Sequence, residues 1–287
     1  MLLYTEDPLK FAFSLELEEL TGSEPSLGIL GVPFDGTASH IPGARFGPNA
    51  IREASYNLER FNFISNKDLK AKLFDLGNLQ VVHGNLERTS HHLESTINEL
   101  SDLKITPLIL GGDHSISYSV LKALITDDVT VLHFDAHMDF RDTYQGEKFS
   151  HATVMRRIYE LNPKKIIQVG IRSGSRGEVE SARDAGIDCY HSSEVKNNLE
   201  RIGNIISKIK GPIYITLDID VLDPAYAPSV GTPCTGGLSP LELQNLVYNL
   251  KGKEIIGFDL VEVSSRCSGD ITSLNAAQII HDFICLY

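Results

Sequence analysis

An α/β fold with a parallel sheet is what this sequence predicts, and two observations carry the prediction. Short runs of β-type composition alternate with longer segments of helical period along nearly the whole chain. Several of those runs are apolar without a polar alternate, as expected of strands covered on both faces. Together they describe a single three-layer domain.

In chain order the β-type runs are SLGILGV, KLFDLG, TPLILGG, VTVLHFD, KKIIQVGI, PIYITLDID and EIIGFDLVEV. Between them, segments such as GPNAIREASYNLERF, SISYSVLKALI, SHATVMRRIYEL and SPLELQNLVYNL repeat their apolar residues at three and four, which predicts crossover helices. No Pro/Gly/Ser linker, charge block or fixed-period repeat divides the chain, so residues 1–287 read as one domain. The longest irregular stretch, Asp223 to Ser239, has the length of a functional loop.

Composition narrows the partners. A chain of 287 residues, 42% hydrophobic, can bury a full core. Its net charge of -12 argues against nucleic acid or an anionic membrane surface and favours a cationic partner. The opening MLLYTEDPLKFAF lacks the basic start and long apolar run of a secretory signal, and no apolar stretch approaches membrane-spanning length. Cys189, Cys234, Cys267 and Cys285 are widely spaced without a C-x-x-C pair, so they read as reduced thiols of a cytoplasmic protein.

Polar clusters fall at the carboxyl ends of three predicted strands, where parallel sheets bind ligands. LILGGDHS supplies Asp113 and His114, LHFDAHMDF supplies Asp135, His137 and Asp139, and ITLDID supplies Asp218 and Asp220. If LHFDAHMDF stays extended, Asp135, His137 and Asp139 share one face and converge. Strand-end Asp and His can instead serve as helix caps or hydrogen-bond partners. Three such ends in one chain favour metal, because carboxylates at that density repel one another unless a cation neutralises them. His114, Asp135, His137, Asp139, Asp218 and Asp220 suffice for two ions sharing bridging carboxylates. A thiolate-free, oxygen-rich set suits manganese better than zinc. Two ions about 3.5–4 Å apart would lower the pKa of a shared water, so the reaction class is metal-assisted hydrolysis.

His133 has the parity of Asp135 but lies within the strand and reads as a hydrogen-bonded core histidine. Asp113 reads as a ligand or as the residue that anchors His114. His40, His83, His91, His92, His191 and His281 lack such company and read as surface or structural.

GGDHS, DAHMD, SHATVMRR and LDIDVLDPAYAPSVGTP, in that order, resemble the manganese-binding motifs of the ureohydrolase family, which contains arginase, agmatinase and guanidinobutyrase. IPGARFGPNAIREAS and GFDLVEVSS resemble that family too, so the likeness covers most of the chain. The resemblance implies an arginase-like sheet of about eight parallel strands with helices on both faces. It implies that two Mn2+ are held, one by His114, Asp135, Asp139 and Asp218 and the other by Asp135, His137, Asp218 and Asp220. It further implies that His151 shuttles protons, that Asp139 passes a proton to the leaving amine, that Glu262 binds the guanidinium, and that Thr232 contacts the substrate. Homo-trimers or hexamers are expected on the same ground. Ala152, Cys234 and Ser265 depart from the family pattern at positions expected near the pocket rim.

DFRDTYQGEKFSH resembles the agmatinase version of the loop that precedes the shuttle histidine, with Asp142, Tyr144 and Glu147 set against Arg141 and Lys148. Acidic groups at the pocket mouth would suit a small cationic guanidino substrate, so the expectation is agmatine hydrolysis to putrescine and urea. Arginine and guanidinobutyrate are the alternative substrates. A one-zinc amide hydrolase and a non-catalytic polyamine-binding protein are the rival classes.

Overall fold

In the computed structural model, which describes residues 5–6, 9–16, 19, 26–265, 267 and 269–287, each of the seven quoted β-type runs forms a strand. They are β2 (Ser26–Gly31), β5 (Lys72–Leu79), β6 (Ile105–Leu110), β7 (Thr130–Phe134), β8 (Lys165–Ile171), β10 (Ile213–Asp218) and β11 (Ile255–Val261). An eighth parallel strand, β9 (Asp188–His191), pairs with β8 at one edge, and β1 (Thr5–Glu6) pairs antiparallel with β5 at the other. The resulting order is β1-β5-β2-β6-β11-β10-β7-β8-β9, so the expected eight parallel strands are present with one short antiparallel addition. A separate two-stranded ribbon joins β3 (Phe61–Asn62) to β4 (Lys67–Asp68). Residues 1–4, part of the opening read above as no secretory signal, lie outside the described residues.

Alternate strand residues feed two cores. Leu27, Ile29, Leu108, Leu110, Leu132 and Phe134 face a layer built from α1 (Gly47–Ser55), α6 (Ser192–Asn197), α7 (Leu199–Ser207), α8 (Pro240–Tyr248) and α9 (Ile271–Ile284). Leu30, Ile109 and Val131, one position out of phase, face α2 (Leu86–Asp102), α3 (Ser117–Leu124), α4 (Val154–Glu160) and α5 (Arg176–Asp184). Burial on both faces is the reason these strands carry no polar alternate. The four quoted helical segments coincide with α1, α3, α4 and α8. Capping boxes open α5 at Ser175/Glu178 and α8 at Ser239/Glu242, where side chains satisfy the first free N–H groups. Among the described residues no helix is long and apolar enough to cross a membrane.

The sheet centre decides where chemistry can occur. Strands β6, β11, β10 and β7 are adjacent there, and their carboxyl ends lead to His114, Glu262, Asp218 with Asp220, and Asp135 with His137 and Asp139.

Candidate active site

The turn after β6 is shaped by a missing side chain. A Cβ on Gly112 would fall 1.7 Å from the Phe34 carbonyl oxygen, so only glycine lets the chain pass there. Asp113 then donates its N–H to that same oxygen at 2.7 Å and caps the short 3-10 turn His114–Ile116. His114 is fully buried, with Nε2 2.8 Å from Thr216 Oγ1. Thr216 gives its hydroxyl proton to Asp259 Oδ1 at 2.7 Å, so its oxygen accepts from Nε2–H. The Nδ1 lone pair of His114 is thereby left facing the site. Nδ1 is buried without a hydrogen-bond partner, yet it lies 3.1 Å from Asp135, 3.3 Å from Asp139 and 3.6 Å from Asp218 carboxylate oxygens. A lone pair and three carboxylates turned toward one another want a cation between them. Thr216 and Asp259, not Asp113, thus anchor the imidazole; the Asp113 carboxylate is taken up by Ser115 and Thr37.

Around Asp135 the same logic applies. Gln168 donates Nε2–H to His133 Nδ1 at 3.0 Å, so His133 donates Nε2–H to Asp135 Oδ2 at 2.8 Å. His133 is close enough to a metal position to be considered, but its inward nitrogen carries a proton, and it orients Asp135 as a core histidine. The extended-strand argument for Asp135, His137 and Asp139 needs correction. Strand β7 stops at Phe134, and Asp139 reaches the cluster through a left-handed backbone with φ 50°. Convergence survives nonetheless: His137 Nδ1 lies 3.0 Å from Asp220 Oδ2 and 3.5 Å from Asp135 Oδ1. Asp220 is steadied by N–H donation from Ala136 at 3.0 Å, and Asp218 accepts from the Asp220 N–H at 2.8 Å.

Electrostatics agree with a cation-binding set. Burial, followed by the charges of Asp220 and Asp135, pushes the Asp218 pKa well above the ordinary carboxylate value. Burial would lower His137, but Asp135 and Asp220 outweigh it and push its pKa up to about 12. Burial likewise opposes the charged form of His114, and Asp135, Asp139 and Asp218 reverse that and raise it well above normal. Without a metal the site must hold protons in its place. All six expected ligands are brought together, and the donor set of four carboxylates and two imidazoles fits a pair of divalent ions.

A cavity of about 100 Å³ opens over this cluster, lined by Asp139, Asp218, His151, Glu262 and Thr232 among others. Glu262 adopts φ 67°, donates its N–H to Gly112 O at 2.8 Å and accepts the His114 N–H at 2.8 Å. Burial, then the charge of Asp113, holds its carboxyl well above the usual range. His151 lies between Thr37 and Ser39, with its ring edge-on to Tyr144 at 5.7 Å.

The acidic pocket mouth expected from Asp142 and Glu147 is not formed by those residues. Asp142 turns away to the buried Arg157 guanidinium at 2.9 Å, and Glu147 lines a different cavity beside α2 and α3. A carboxylate that lines the pocket beside Asp139, Asp218 and Glu262 is Glu178, buried at the start of α5 and 3.3 Å from Arg141 Nε. Sequence reasoning missed it, because S-R-G-E at 175–178 reads fully as a capping box. Of the three departures from the family pattern, Ala152 lines the cavity. Cys234 contributes its carbonyl to Arg172, and buried Ser265 bonds the Cys267 carbonyl.

Residues 25–285 match the model of the arginase family. An agmatinase of Pyrococcus horikoshii is 38% identical over 98% of this chain and 97% of its own. The N(1)-aminopropylagmatine ureohydrolase of Thermococcus kodakarensis is 38% identical over 97% of this chain and 95% of its own. Among solved structures, the agmatine ureohydrolase of Thermoplasma volcanium superposes with a TM-score of 0.85 at 34% identity, covering 96% of this chain and 95% of that one.

Proposed function

The chain belongs to the arginase family, and from that premise we propose that it hydrolyses the guanidino group of agmatine to putrescine and urea with two Mn2+. The observation that carries the reading is the His114 Nδ1 lone pair facing Asp135, Asp139 and Asp218 beneath a pocket that holds Glu262 and Glu178. His114, Asp135, Asp139 and Asp218 would hold one ion, and Asp135, His137, Asp218 and Asp220 the other. When bound, the pair lowers the pKa of a shared water toward neutrality and so supplies the nucleophile.

The protein's own groups do the rest. Glu262 pairs with the guanidinium and holds its carbon over the cluster, with Thr232 beside it. Asp139 takes the proton of the attacking water and hands it to the departing amine, which is a poor leaving group until protonated. His151 exchanges protons between the site and solvent at the pocket mouth. Glu178, paired with Arg141, supplies a carboxylate for a distal cation on the substrate, the part expected of Asp142 and Glu147. The proposal takes residues 1–287 as a single domain and extends to homo-trimers or hexamers in the cytoplasm, consistent with four free cysteines. A one-zinc amide hydrolase would not need the six-residue set, and a binding protein would not need a shuttle histidine.

The test is a comparison of kcat/KM for agmatine, N1-aminopropylagmatine, arginine and 4-guanidinobutyrate with manganese. Agmatine is expected to exceed arginine by about 100-fold, a difference of about 2.7 kcal/mol in transition-state binding. A preference for either carboxylate-bearing compound would refute the substrate assignment.

A further inference from the structure

One polar network touches the pocket without any part in the metal cluster. Asp113 is fully buried, and its Oδ2 accepts from the Thr37 N–H at 2.8 Å and from Thr37 Oγ1 at 2.9 Å. Its Oδ1 accepts from the Ser115 N–H at 3.1 Å and from the Ser115 hydroxyl. Two backbone N–H groups and two hydroxyls therefore converge on this carboxylate, which acts only as an acceptor. The Thr37 hydroxyl proton is committed to it. What remains on Thr37 Oγ1 is two lone pairs, and His151 meets both: its backbone N–H at 3.0 Å and its ring Nδ1 at 3.3 Å.

We propose that Thr37, held by Asp113, is a positioning residue that fixes the tautomer of His151. With its own proton spent, Thr37 Oγ1 can only accept from Nδ1, so neutral His151 carries its proton there and turns the Nε2 lone pair outward. Nε2 faces Ser39 Oγ at 3.2 Å on the pocket wall. A shuttle needs that arrangement: one nitrogen clamped, the other turned to the pocket wall, where it can pick up and release a proton. The inference rests on the reading of His151 as the shuttle, and it adds the device that keeps the exchanging nitrogen pointed at the pocket.

The experiment is a double-mutant cycle on the manganese-loaded enzyme, with metal content and melting temperature measured for every variant. Thr37→Val keeps the shape and removes the hydroxyl; it is expected to lower kcat by about 10-fold or more, the scale of a lost orienting partner, with KM within about two-fold of the parent. Thr37→Ser restores the oxygen and should restore kcat, which a loss of packing would not allow. In a His151→Ala background Thr37→Val should have no further effect on kcat. Equal losses in both backgrounds, or an unchanged kcat in Thr37→Val, would overturn the relay while leaving the shuttle intact. Full activity in His151→Ala itself would overturn both.

Discussion

Glu262 and Asp139 share a feature that few side-chain-bearing residues tolerate. Both adopt left-handed backbone conformations, with φ of 67° and 50°, which costs about 1–3 kcal/mol at each position. Hydrogen bonds at each end of Glu262, to Gly112 O and from His114 N, over-determine that conformation and aim the carboxylate into the pocket. A carboxylate held well above its usual pKa by burial and by Asp113 gains most from a cationic guest, and the guest proposed for it is the guanidinium. Glu262→Gln keeps the shape and the His114 contact but removes the charge. We expect kcat/KM to fall by about 100-fold or more, the worth of a desolvated charge pair, with metal content and melting temperature preserved. Steady-state kinetics with metal analysis checks this, and near-parental kcat/KM would remove Glu262 from substrate binding. At this scale the convergence of His114, Asp135, His137, Asp139, Asp218 and Asp220 was legible, because so many carboxylates and imidazoles at the ends of apolar strands have few structural uses. Asp142 and Glu147 were misread because sequence does not say which of a loop's charges turn outward, and Glu178 was invisible because its capping role already accounted for it.

Elements hold the site through contacts that have no local signature. Arg172, just past β8, directs its guanidinium at the carbonyls of Asp220, Leu222 and Cys234, at 2.6, 3.1 and 2.7 Å from Nη2, and at those of Gly170 and Val221 from Nη1. It thereby ties the end of the β10 turn to the loop that carries Thr232. The loop from Asp223 to Ser239 was expected to be functional; its tie to the turn that carries Asp218 and Asp220 is a property of the folded sheet alone. Arg172→Ala strips donors from several partly buried carbonyls, each costing about 1–3 kcal/mol when left unsatisfied. It should lower the melting temperature and raise KM more than it lowers kcat, since the Thr232 loop loses its tether while Asp139 and His151 stay in place. An unchanged KM would show that the loop is held by other means. Strand β9, whose DCYH is only partly buried at the sheet edge, escaped the pattern reading for the converse reason: it lacks the apolar run that full burial imposes.

At the scale of the molecule, periodicity announces strands and helices but not their neighbours. That β10 and β11 insert between β6 and β7, and so bring four strand ends together, depends on pairings far apart in the chain. The consequence is a fold whose centre concentrates negative charge within a chain of net charge -12. Stripped of metal, that centre keeps protons instead. His114 and His137 have raised pKa values, the latter about 12, so their contribution is complete below the unfolded value near 6.5 and is lost as pH rises toward the folded one. Asp218 is raised as well, and it too stabilises less as pH climbs through its folded pKa. Asp135 is lowered: burial opposes this, but His133 and His114 prevail, and its contribution is already complete in the neutral range. The chelated protein should therefore lose stability between about pH 6.5 and pH 8.5, while bound metal, which needs the same groups deprotonated, stabilises more. Metal at 100 times its Kd adds about 2.7 kcal/mol to the native state, or several degrees of melting temperature. Thermal melts with manganese and with chelator at both pH values should show the gap widening toward the alkaline end, and a gap that narrows would mean these histidines and carboxylates do not hold the ions.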